Sequence, residues 1–404
     1  MILNALFVDF DSFFASVEQA EDPDNLAGRP VAVVPLQADT TCCIAASYEA
    51  KAFGVKTGTG VAEARRLCPD IAFVQARHEV YIAYHHKLLR AIESCIPIDE
   101  VASIDEVACR LTGTWRQRDR AEGVAAAIKA AVRRKAAVTC SIGIAPNRFL
   151  AKTASKMDKP DGITVLEAAD LPDALYRLEL GELHGVGPRM LARLRAAGIR
   201  DVRTLCAAGP AELAAIWGGV GGERMHAALR GAPSFERPSA RATVGHSHVL
   251  PPDMRRDALA VRVAHRLLQK AAWRLRGQGL VAGGMTLDLG YVDGRRWHGK
   301  RRLDASDDTL ALSRVLRALW DDRPRRRAGL LKVGVTLTHL SAARGRSLDL
   351  FGDGRQRSRL NAAVDALNGR FGKQAVYLGG AHGAMDAAPM RIAFTRIPDP
   401  VVED

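Results

Sequence analysis

Cysteine is scarce and poorly placed for structural work. There are seven, an odd count, with Cys42 and Cys43 adjacent and no CxxC anywhere. That excludes a disulfide framework and a zinc site and leaves reduced, mostly buried thiols. Long apolar runs are also missing: each is broken by charge or glycine well short of the roughly 20 residues that span a bilayer. The opening MILNALFVDFDSFF has no basic start and is interrupted by Asp9 and Asp11, so no signal peptide, no membrane partner and a cytoplasmic location are expected. Glutamate is absent from residues 241 to 345, where 21 Lys and Arg face 9 Asp, a net +12 out of a chain total of +13. Such concentration points to a polyanionic partner, nucleic acid above all, rather than to an ordinary solvated face.

A chain of 404 residues is expected to form about two to four domains. Residues 3 to 10, LNALFVDF, read as a buried strand delivering Asp9 at its carboxyl end, followed by a helix capped by Ser12. PVAVVPL (30 to 36) and CCIAASY (42 to 48) read as a small strand pair. Residues 100 to 111 resemble a hairpin with Asp105 and Glu106 near its tip. An Ala-rich helix (122 to 136), a strand (137 to 145) and a helix opened by Pro146-Asn147 complete an α+β block. From 166 to 235 short Gly-separated helices take over. Helix 253 to 276, strand 285 to 291, helix 309 to 320 and strand 330 to 340 then repeat a helix-then-strand order, and an extended tail is expected from about Ala387.

Asp9, Asp105 and Glu106 are the candidate catalytic set. Nucleotidyl transfer needs two hard cations close together, and carboxylates on adjacent strand ends are suitable ligands. Taken singly, each acid would be an ordinary turn or surface residue. Together, FVDFDSFFASVEQ and SIDEV resemble the two catalytic signatures of Y-family DNA polymerases, with matching spacing. The resemblance covers roughly residues 3 to 380. SKMDKPDG is similar to the DinB (DNA polymerase IV) branch, whereas EAKAFGV and 333 to 380 look more like the UmuC branch.

That resemblance implies a right-hand polymerase: palm at 1–10 and 77–165, fingers at 11–76, thumb with a helix-hairpin-helix at 166–235, linker at 236–243, little finger at 244–345, and a clamp-binding segment with C-terminal extension at 346–404. It implies low-fidelity, template-directed translesion synthesis from dNTPs on primer-template DNA by a monomer, the alternative being a non-catalytic scaffold in a mutagenesis complex. No second acid cluster resembles an exonuclease, so proofreading is not expected. Two Mg2+ ions, replaceable by Mn2+, would be held by Asp9, Asp105, Glu106 and the Phe10 carbonyl. Phe13, Phe14, Tyr48, Lys51 and Lys159 would meet the nucleotide, Phe14 as the sugar gate. Lys51 stands where many relatives have Arg, giving a point charge in place of a fork. Ala32, Cys42, Ala46 and Gly58 are candidates for a loose roof over the base pair, and Asp11 reads as a helix N-terminal acid outside the metal set.

Three further elements point to DNA. LHGVGPRMLARLRAAGI offers the bare N–H groups of Gly185 and Gly187 to a phosphate. Arg295, Arg296, Lys300, Arg301 and Arg302, alternating around a turn beside Trp297, suit backbone tracking. Leu348, Leu350 and Phe351, in RSLDLFGDG, resemble the short peptide by which bacterial polymerases dock into the sliding clamp, with Ser347 replacing the usual Gln.

Overall fold

The computed structural model describes residues 2–39, 41–233, 242–343, 354–372, 375–387 and 397. Its chain divides into two compact units, one essentially Met1–Glu236 and the other Arg237–Arg391.

The first unit is built on a five-stranded sheet, β5-β6-β1-β7-β8. Strand β1 (Ala5–Phe10) lies in its middle, antiparallel to β6 (Glu106–Arg110) and to β7 (Cys140–Ala145), and five of its six residues are buried. Burial on both sides is why its sequence is almost continuously apolar up to Asp9. Strand β5 (Glu100–Val101) pairs with β6 as the expected hairpin, and β8 (Ile163–Val165), unforeseen in the sequence, runs parallel to β7. Helix Arg148–Met157, capped by Asn147 through the Leu150 N–H at 2.8 Å, lies over β7. It approaches so closely that a Cβ on Gly143 would strike the Ala151 carbonyl. Helices His78–Glu93 and Arg118–Ala136 pack on one another; the former was not anticipated.

A smaller sheet in the same unit joins β2 (Val31–Val34) to β3 (Ala45–Ala46) antiparallel and to β4 (Ala72–Gln75) parallel. Ala32 and Ala46 face each other across β2 and β3 and sit in that sheet's core, so they do not roof an open site; Cys42 is exposed and Gly58 has open space around it. Residues 166 to 233 are helical as expected, ending in helices Pro210–Trp217 and Val220–Leu229. Gly222 in the second of these is a packing residue: a side chain there would collide with the Leu213 carbonyl.

The second unit is a four-stranded antiparallel sheet, β11-β10-β12-β9, formed by β9 (Thr243–Val249), β10 (Leu280–Tyr291), β11 (Arg296–Ser306) and β12 (Leu330–Ala342). Helices Asp257–Gly277 and Thr309–Asp321 share its core with Met285, Leu287, Leu289, Val333 and Val335. Thr243, read as the linker's last residue, opens β9. Arg296–Ser306 is a strand, not a turn. Helix Gly354–Phe371, also unforeseen, docks by its polar side: Asp365 accepts both ends of the Arg276 guanidinium at 2.6 and 2.7 Å, and Asn361 donates to Asp308 at 3.2 Å. Ala387 itself is buried, its carbonyl accepting from Arg266 Nε at 2.5 Å, and the extended tail expected beyond it lies outside the described residues apart from residue 397.

Candidate active site

The sheet register brings the acids together. Asp9 and Glu106 are direct cross-strand partners on β1 and β6, and the Phe10 N–H donates to the Asp105 carbonyl at 2.8 Å. Cross-strand partners share a face. Asp9 and Glu106 therefore project on the side where the helix Arg148–Met157 supplies Lys152, whose Nζ is 2.8 Å from Glu106 and lies over the Phe7 ring. Lys159, just past that helix, ion-pairs with Asp9. Ser103 Oγ donates to Asp105 Oδ1 at 2.5 Å.

This is an excess of negative charge in a dry place. Burial pushes the Asp9 carboxyl up to about 6, against the pull of Lys159 and helped by the like charges of Asp105 and Glu106. Burial likewise raises Asp105, partly offset by its bond from Ser103. Each carboxylate is held by its own donor, and among the described residues no three acids, His or Cys converge on one point to enclose an ion as they stand. The donor set still fits hard divalent cations: carboxylate oxygens from adjacent strands, with Asp9 and Asp105 raised chiefly by burial, a cost that a bound cation would offset.

Around the acids lie the other candidates. Tyr48 follows the helix cap Ser47, whose hydroxyl accepts from the Ala50 N–H. Lys51, one turn on, keeps its Nζ over the Tyr48 ring at 4.1 Å and donates to Ser12 Oγ at 2.7 Å. Ser12 is thus not a side-chain cap; it sits in the left-handed region at φ 47°. Phe13 is 4% exposed and its ring belongs to the core rather than to an open nucleotide site. Phe14 is half-buried and stacks on Tyr81 with ring centres 4.4 Å apart. Tyr81 is fixed in turn, its hydroxyl donating at 2.6 Å to the buried Glu18, which Arg77 also binds. The sequence reading missed Lys152, Tyr81 and Glu18. Lys152 was detectable as a cation on the site-facing helix, but Glu18 and Tyr81 lie 63 residues apart and only the fold joins them.

The phosphate-gripping candidates are placed differently. Gly185 has φ +84° and Gly187 precedes helix Pro188–Ala196, both exposed, but the preceding element is a single 3-10 turn, Leu180–Glu182, rather than a full helix. The five cations of 295–302, four of them on β11, divide. Trp297 and Leu303 pack toward the core, so Arg301 shares their side and pairs with Asp322 at 2.7 Å. Arg296, Lys300 and Arg302 occupy the opposite, open side, and Arg295 lies 3.9 Å from Asp293. Ser347, Leu348, Leu350 and Phe351 lie outside the described residues.

Comparison with known proteins decides the family. Residues 8–156 match the impB/mucB/samB family and residues 241–350 its C-terminal domain. The DNA polymerase IV of Moorella thermoacetica is 38% identical, with 92% of this chain and 94% of that protein covered. The chain belongs to the Y family of DNA polymerases. The polymerase is similar along the same share of its length to the DNA polymerase IV of Pelotomaculum thermopropionicum, at 33% identity over 93% of that protein. DinB-type likeness therefore reaches well into the part that also looks UmuC-like. Among solved structures, a Y-family chimera of Dbh and Dpo4 superposes with a TM-score of 0.71 over 84% of this chain and 99% of its own, at 24% identity. An insertion ternary complex of Dbh DNA polymerase superposes at 0.58 over 83% and 98%, at 25% identity. Membership makes the polymerase a DNA-directed, low-fidelity enzyme of translesion synthesis, and divalent-metal dependence comes with the family.

Proposed function

We propose that the polymerase extends a primer 3′ hydroxyl with dNTPs across damaged template by two-ion nucleotidyl transfer, Asp9, Asp105, Glu106 and the Phe10 carbonyl holding two Mg2+, or Mn2+ in their place. The observation that carries this is the register: Asp9 opposite Glu106, with Lys159 and Lys152 reaching the two acids. Bound there, the cations would activate the attacking hydroxyl and neutralise the triphosphate. The chain's own groups do the rest. Lys159, Lys51 and Tyr48 bind triphosphate oxygens, Lys159 exchanging Asp9 for the substrate and Lys152 giving up Glu106 when a cation claims it. Phe14, held from behind by Tyr81, excludes a 2′ hydroxyl sterically.

In this reading residues 1–10 and 77–165 serve as palm, 11–76 as fingers, 166–235 as thumb and 244–345 as little finger, after the linker 236–243. Gly185 and Gly187 offer backbone N–H groups to a phosphate, and the open side of β11 tracks the DNA backbone. In 346–404, Leu348, Leu350 and Phe351 dock a sliding clamp through apolar anchors, so Leu350→Ala with Phe351→Ala abolishes clamp stimulation and keeps basal activity. The enzyme works as a monomer in the cytoplasm, without proofreading. Primer extension opposite an undamaged base, an abasic site and a bulky guanine adduct, with Mg2+ supplied or chelated, tests the reading. Extension that survives chelation, or no extension of any template, would overturn it.

A further inference from the structure

Asp11 does not behave as the helix-end acid its position suggests. It is 1% exposed and precedes the cap of helix Phe13–Glu21, which has no acid in its first turn. A buried carboxylate persists only when its lone pairs are filled, and here they are. Oδ2 accepts from Thr139 Oγ1 and from the Asp161 N–H, both at 2.9 Å. Oδ1 accepts from Ser141 Oγ at 2.8 Å, with the Tyr48 hydroxyl at 3.5 Å and Lys159 Nζ at 3.8 Å. Donors from three distant stretches meet on this one side chain, and two of them, Tyr48 and Lys159, are the groups assigned above to the triphosphate.

We infer that Asp11 is a positioning residue for the incoming nucleotide, fixing the 159–161 loop so that Lys159 reaches the triphosphate; this rests on the phosphate role of Lys159 proposed above. The mechanical argument runs through Asp161. Its φ of 59° is one that L side chains rarely adopt, so something must hold it. Its carboxylate is gripped by Lys129 at 3.1 Å and Arg133 at 2.5 Å, and its N–H by Asp11. Clamped from both ends, Asp161 anchors the backbone two residues beyond Lys159 and sets the direction from which that side chain enters the site. Without Asp11, Lys159 keeps its charge and loses its aim.

Single-nucleotide primer extension on Asp11→Ala, Asp11→Asn, Lys159→Ala and Asp11→Ala/Lys159→Ala, reading KM for dNTP and kcat separately, tests this. Lys159→Ala raises KM by about tenfold, and Asp11→Ala raises it by about fivefold with kcat lowered by less than about threefold. Asp11→Asn returns most of the loss, because its amide oxygen still accepts from the Asp161 N–H while the hydroxyls turn to accept from its NH2. The double variant is no worse than Lys159→Ala, since both act through one group. Multiplicative losses, or a fallen kcat and melting temperature with KM unchanged, would make Asp11 merely structural. A raised KM in Lys159→Ala beside an unchanged one in Asp11→Ala sinks this inference alone; an unchanged KM in Lys159→Ala sinks the phosphate assignment and this inference with it. Should Asp11→Ala not fold, Thr139→Val removes one donor and keeps the carboxylate. A KM rise of about twofold that disappears in the Lys159→Ala background supports the inference, and no rise overturns it.

Discussion

The two large sheets of this polymerase use charge in opposite ways. At the acid end of the five-stranded sheet the charged groups are few, buried or half-buried and individually answered, Asp9 by Lys159, Glu106 by Lys152 and Asp105 by Ser103. In the four-stranded sheet they are many and exposed, and on the open side of β11 Arg296, Lys300 and Arg302 lie in solvent. Burial makes each interaction strong and specific, which suits a reaction that must hold ions and a triphosphate in one geometry. Exposure keeps interactions weak, numerous and salt-sensitive, which suits a grip that must slide.

The comparison breaks most visibly at Asp9. Asp9→Ala should lower the extension rate at least about a hundredfold, roughly 2.7 kcal/mol of barrier, while affinity for primer-template measured by mobility shift stays within about twofold. A variant that extends normally would end the claim that the buried acids do the chemistry.

Burial has a cost that pH should reveal. His85, buried with Nδ1 2.7 Å from the Ile104 carbonyl beside the acid hairpin, has its pKa pushed down to about 4 by burial. The unfolded chain binds that proton near 6.5, so stability should fall as pH drops from about 6.5 to 4, by about 3 kcal/mol. Asp9, raised to about 6, works in the opposite sense between its unfolded value and that pH. The difference between melting curves of wild type and His85→Leu isolates the histidine: the variant should lose the acid-side slope, and parallel curves would contradict the assignment.

The exposed sheet should respond more softly. Arg296→Ala, Lys300→Ala and Arg302→Ala combined should weaken primer-template binding roughly tenfold near physiological salt and shallow the log-log salt slope by up to about 2.7, with the rate at saturating DNA preserved. An unaltered slope would reduce these cations to mere surface. Arg301→Ala, on the other side of the strand and neutralised by Asp322, should change binding by less than about twofold and stability by less than about 1 kcal/mol. Equal losses from Arg301→Ala and Lys300→Ala would erase the distinction between the two sides of β11.

The elements legible in the sequence were those whose apolar pattern matches what they bury. β1, the hairpin β5–β6, β7 and helix Arg148–Met157 all announce themselves, and with them the three acids. β11 did not, because RWHGKRRLDAS is an edge strand with a charged open face and only Trp297 and Leu303 alternating inward, so it reads as a loop. Helix Gly354–Phe371 misleads for a related reason. Its docked side carries Asn361 and Asp365 while Leu360, Leu367 and Phe371 stay exposed, which reverses the usual rule that the apolar stripe marks the buried face. Helix His78–Glu93 did carry a signal, with Tyr81, Ile82, Leu88 and Ile92 at helical spacing, and it was missed. The company kept by Asp11 could not be read at all, since its partners at 139, 141 and 161 are neighbours only after folding.

The central place of β1 has a consequence for motion. A strand hydrogen-bonded along both edges opens only when the sheet around it comes apart, so the amides of Val8 and Phe10 should be among the last in the chain to exchange with deuterated solvent. Whatever adjustment lets this enzyme accept a deformed template must therefore come from elements outside that sheet, while the strand bearing Asp9 stays a fixed bench against which they move.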